Sequence, residues 1–222
     1  MRYRPDFHVV LRYWPAIQDA FFVTIKISIM AYVLAFLLGL LVALLLMSKN
    51  RMLFFAARAY AEVLRGTPEM VQILWIFYVL PITFGLRLGV MATGVIGLGI
   101  SLSAYLGEVF RAGFKAVPRG HVEAARALGM SQIHTLFRIQ LPEAVPVIVP
   151  LLMSNYILLL KRTSLLIAIG APELLFRTRA IASDTFRPLE LLTVAALLYL
   201  GLVFVLSFAV SHLETHVALP SR

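Results

Sequence analysis

The sequence predicts an all-α polytopic membrane protein with five transmembrane helices and one long polar loop, folded as a single domain over residues 1–222. Three observations carry this. Hydrophobic residues make up 61% of the chain and charged residues 14%, whereas soluble domains hold about 45–50% and about 25%. The mean hydropathy is +0.90. The apolar residues also gather into runs long enough to cross a hydrocarbon core of about 30 Å.

The elements follow in chain order. Residues 27–48 are free of charge, and the turns from Phe21 through Lys26 extend them into a first span at 20–48. A second span is expected at 60–84, with an uncharged part that starts at Met70 and meets Pro81. The third, at 88–110, opens with an uncharged stretch rich in Gly and Ser, a composition that lets helices approach closely. A fourth covers 143–170, apolar from Ala144 to Leu160 and then interrupted by Lys161 and Arg162. The fifth, at 189–213, runs from Leu191 to Leu213 without a charge.

Residues 115–142 separate the third and fourth spans and do not look like membrane. Pro118 suits a first helical turn, where its missing N–H costs nothing. Ala124, Ala125, Ala127 and Leu128 favour helix. Gly129 fits the left-handed position that ends one. Ser131 can cap a second helix, although His134 stands where a capping box would need Glu or Gln. That helix places Ile133, Leu136, Phe137 and Gln140 on neighbouring turns, and Pro142 is expected to close it.

Charge and composition exclude several classes. Lys and Arg total 20 against 11 Asp and Glu, but they are scattered around apolar runs and form no stripe for nucleic acid; membrane lipid headgroups are their natural partner. If the 115–142 loop is cytoplasmic, its side collects the larger share of Lys and Arg, which places the N-terminus outside and the C-terminus in the cytoplasm. Cysteine is absent, which removes disulfides, thiol nucleophiles and thiolate metal sites. Arg2, Arg4, Asp6 and Arg12 at the start do not read as a cleavable signal peptide. Gly94, Gly97 and Gly99 lack the Lys and Ser/Thr of a phosphate loop. His212, Glu214 and His216 read as a solvated tail, not a metal pair, and Glu108 as a packing or helix-end residue.

Glu123-Ala124-Ala125, then Gly129, Ile139 and Leu141-Pro142, resembles in every fixed position the EAA motif of bacterial ABC importer permeases. Arg65-Gly66-Thr67-Pro68 with Val71-Gln72, Tyr105-Leu106-Gly107-Glu108, Arg111-Ala112-Gly113, Val117-Pro118-Arg119-Gly120 and Lys161 with Thr163-Ser164-Leu165 resemble the polar amino-acid uptake branch. The resemblance implies a non-enzymatic subunit of the bacterial inner membrane. It would pair with a second permease, the same or a paralogue, and take substrate from an extracytoplasmic amino-acid-binding protein. It would dock on ABC ATPase subunits that hold ATP and Mg, this chain binding no cofactor. The polar loop would be a cytoplasmic coupling helix: Glu123 a polar anchor, Ala124 and Ala125 a flat contact, Gly129 an elbow.

Three positions depart from that pattern: His121 where glutamine is common, Glu69 for an apolar residue, and Arg162 for an aspartate. Charges at membrane depth are paired, reach the headgroups or line water. Lys161 and Arg162 therefore either extend to the headgroups or face a substrate path that Asn155, Thr163 and Ser164 could join. Two other classes compete. A stand-alone channel or secondary transporter would need repeats, and an integral membrane enzyme would need a catalytic cluster; neither is visible.

Overall fold

The computed structural model describes residues 4–217, with side chains as far as His212. Among them every element is helical. A short α1 (His8–Arg12) leads into α2 (Trp14–Leu46), and α3 (Arg51–Gly66) precedes α4 (Glu69–Leu74). A π turn at Trp75–Val79 joins α4 to α5 (Leu80–Phe84). Then come α6 (Val90–Ala116), α7 (Arg119–Ala127) and α8 (Gln132–Thr135). A second π turn (Leu136–Gln140) carries α8 into α9 (Leu141–Arg162), which tightens to a 3-10 turn at Thr163–Ile169. The chain ends with α10 (Leu174–Thr185) and α11 (Pro188–Val217). Four helical stretches are long and apolar enough to cross a membrane, and α3 with α4–α5 makes a fifth if the bent pair counts as one.

The helices α2 and α6 form the axis of the bundle, and glycine brings them together. A Cβ on Gly107 would lie 2.6 Å from Val42 Cγ1, and one on Gly39 would lie 2.7 Å from Leu106 Cβ. Such contact lets two backbones pack where lipid tails offer no hydrophobic driving force. Around this seam Ile27, Ala31, Leu98, Leu102, Ile148, Leu159 and Leu166 close the main core. A second core of Ile17, Leu174, Ile181 and Leu191 ties α10 and α11 to the start of α2.

The structure corrects the expected elements at several points. The second span is not one helix: α3 and α4–α5 meet at 104°. Pro68 drives the preceding residue out of helical space, and Thr67 is extended at φ −108°, ψ 134°. Pro142 does not end a helix. The wider turn at Leu136–Gln140 precedes it and the helix runs on; the same device precedes Pro81. A π turn shifts the local bonding register, so a proline without an N–H is absorbed where it would otherwise break the ladder. The first span begins with α2 at Trp14, ahead of residue 20, and the third continues along α6 to Ala116. The helix α10 had no sequence expectation.

Candidate functional site

The polar loop is a rigid elbow. Val117 and Pro118 are extended, and α7 starts at Arg119. The helix ends in a complete Schellman arrangement: the Gly129 N–H donates to the Arg126 carbonyl at 2.9 Å and the Met130 N–H to the Ala125 carbonyl at 3.1 Å. Gly129 holds φ +79°, the left-handed conformation that glycine takes without a Cβ penalty. Ser131 then caps α8, accepting the His134 N–H at 3.3 Å. Two helix ends are thus satisfied within five residues of chain.

The elbow exposes an apolar tip. Leu128, Ile133 and Phe137 are 83%, 71% and 64% exposed. Glu123 and Ala124 are also exposed, but Ala125 is buried. Of the two alanines expected to present a bare surface, Ala124 is exposed and Ala125 packs inward. Ile139 and Leu141 are half-buried and Pro142 is exposed. Beside the tip, Lys115, Arg119, Glu123 and Arg126 line a cavity of about 450 Å³. The His121 imidazole meets Glu143 of α9, with Nδ1 2.9 Å from Oε1, so the glutamine-to-histidine departure ties the loop to the long helix.

The other two departures from the family pattern meet each other. Arg162, the last residue of α9, donates from Nη1 to Oε1 of Glu69, the first residue of α4. The Ser101 hydroxyl donates to the same oxygen at 3.0 Å. The guanidinium carbon lies 5.5 Å from the Tyr105 ring centroid, within cation–π range. Sequence reasoning flagged Glu69 and Arg162 singly but missed their pairing; the signal was that both departures bring charge, and of opposite sign. A further ion pair, Arg111 to Glu108 at 2.6 Å with Arg65 at 3.7 Å, joins the end of α3 to α6.

The remaining path candidates separate. Thr163 is buried, and its hydroxyl donates to the Leu160 carbonyl at 2.7 Å. Asn155 donates from Nδ2 to the Leu151 carbonyl of its own helix at 2.8 Å. Lys161 and Ser164 face the other way, lining a largely apolar cavity of about 340 Å³ with Leu175, Leu192 and Tyr199. Arg162, by contrast, reaches α4 and α6 through Glu69 and Tyr105. Next to the second cavity, buried Glu173 caps α10, accepting the Leu175 and Phe176 N–H groups and, at 2.7 Å, the Tyr199 hydroxyl. Burial pushes its carboxyl above the usual range despite those three donors. No metal-capable cluster occurs among the described residues.

The chain is a multi-helix membrane fold whose polar elbow, between two of its long helices, carries an exposed apolar tip. The family model "Binding-protein-dependent transport system inner membrane component" matches residues 35–219, and the chain belongs to that family. The putative glutamine transport system permease protein of Rickettsia conorii is 31% identical over 211 residues, covering 94% of this chain and 97% of its own. The L-cystine transport system permease protein of Bacillus subtilis is 34% identical, covering 88% and 83%. In a solved structure, an amino acid ABC transporter crystallised with histidines, the matching chain superposes with a TM-score of 0.90 at 33% identity, over 96% of this chain and 100% of that one.

Proposed function

We propose that this chain is the permease subunit of an ATP-driven, binding-protein-dependent amino-acid importer, moved by an ATPase that grips the elbow at Gly129. The observation that carries the reading is mechanical. The exposed tip at Leu128, Ile133 and Phe137 adjoins one helical stretch, Gln132–Ile169, which is more than 45 Å long at about 1.5 Å per residue. Arg162 ends its α-helical part. A push on the tip is delivered along a stiff rod, whereas a flexible loop would absorb it.

In this reading the loop is cytoplasmic, the N-terminus lies outside and the C-terminus inside. Glu123 anchors the ATPase through its charge, Ala124 and Leu128 fill its groove, and Ala125, Ile139, Leu141 and Pro142 hold the elbow on the rod. ATP and Mg belong to the ATPase. A second permease, identical or paralogous, completes the path, and an extracytoplasmic binding protein delivers an amino acid. The glutamine and cystine permeases among the relatives support that substrate class. Arg162 lies on the path, whereas Thr163 and Asn155 bond to their own helix backbone.

The test is reconstitution of the chain with its ATPase and binding protein in liposomes. Uptake should require ATP, and Leu128→Asp with Phe137→Asp should cut ATPase retention at least tenfold. Uptake or conductance by the chain alone would instead establish a channel or secondary transporter.

A further inference from the structure

We infer that Glu69, Arg162, Ser101 and Tyr105 bind the zwitterionic headgroup shared by α-amino acids, with Glu69 taking the ammonium and Arg162 the carboxylate; this rests on the importer reading above. The four side chains come from three elements and meet where two helices are interrupted. Glu69 opens α4 after the break at Pro68, and Arg162 ends α9 where the helix tightens. Ser101 and Tyr105, one turn apart on α6, flank the pair. Ser101 stands near the middle of α6, so the charges lie within the apolar layer.

The bonding leaves capacity unused. The ion pair and the serine both use Glu69 Oε1, and Arg162 donates through Nη1. No bond to Glu69 Oε2, to Arg162 Nη2 or Nε, or to the Tyr105 hydroxyl occurs among the described residues, and none of these atoms is a buried orphan. The side chains keep 15% and 28% of their surface open. An ion pair away from water is costly to break, because the abandoned charge stays unpaired. A ligand with one charge would impose that cost. A ligand carrying both, side by side, satisfies each member in turn. The site therefore selects for the headgroup and is indifferent to the amino-acid side chain.

The experiment uses the reconstituted permease–ATPase–binding-protein complex with radiolabelled L-glutamine, L-cystine and L-arginine as probes. Glu69→Gln and Arg162→Gln should each lower uptake at least tenfold, by a similar factor for every probe the unmodified complex carries. The exchanged pair, Glu69→Arg with Arg162→Glu, should assemble with the ATPase at normal yield and remain defective, since the carboxylate and ammonium sites are then reversed against the rest of the path. Restored uptake in the exchanged pair would show a purely structural bridge and overturn the inference. So would uptake within twofold of normal in the single variants, or a loss confined to one probe. Absence of ATP-dependent uptake in the unmodified complex would instead overturn the importer reading beneath it.

Discussion

Gly113 of α6 packs directly on Ile148 of α9, so closely that a Cβ at position 113 would fall 2.1 Å from Ile148 Cγ1. This contact joins the central helix to the rod that starts at the elbow. Gly113→Leu should overpack it at a cost of about 1–3 kcal/mol, read as a lower melting temperature of the detergent-purified chain. Gly113→Ala should be rescued by Ile148→Ala, which clears the clashing atoms. Equal stability of Gly113→Ala and the unmodified chain would contradict the close approach.

The glycines at 120 and 129 should respond to alanine in opposite directions. Both have open space where a Cβ would go, so only the backbone decides. Gly129 is left-handed, and a Cβ there costs about 1–2 kcal/mol. Gly120 is the second residue of α7, where alanine still favours helix but gains less than the interior value of about 1 kcal/mol. Amide exchange across residues 119–135 should quicken in Gly129→Ala and slow in Gly120→Ala. In the importer, Gly129→Asp should let ATP hydrolysis continue while uptake falls.

Those two glycines also show how far the sequence could be read. Gly129 was legible as an elbow because helix formers, a terminating glycine and a capping serine follow one another locally. The long apolar helices were legible for the same reason. The break at Thr67–Pro68 was not, because apolar residues continue on both sides and hydropathy does not register direction. The helix α10 carries Arg177, Arg179 and Asp184 beside its apolar residues, so no hydropathy run marks it. Pro142 looked like a stop because a π turn leaves no pattern in composition. Glu69 and Arg162 are 93 residues apart, and only the fold could join them.

Glu173 gives a pH dependence with a definite sign. Its folded carboxyl titrates above the ordinary range through burial, so between the unfolded and folded values the native state holds the extra proton. Stability from this group is complete below the unfolded value, about 4.3, and is lost as pH rises through the folded one. Melting temperature should therefore decline less between pH 4 and pH 7 in Glu173→Gln than in the unmodified chain. An identical slope in the two proteins would refute the assignment.

Gln72 holds the 104° bend between α3 and α4. Its Nε2 donates to the Leu64 carbonyl at 2.8 Å and to the Thr67 carbonyl at 2.9 Å, two acceptors freed where Pro68 interrupts the helix. Gln72→Leu keeps the bulk and removes both bonds, so it should destabilise the chain by about 1–3 kcal/mol for each carbonyl left without a donor. Gln72→Glu should fare no better, because a carboxylate cannot donate and would face two carbonyl oxygens. If the cost came from lost packing and not lost donors, Gln72→Met would be as stable as the unmodified chain; the geometry requires it to melt as low as Gln72→Leu.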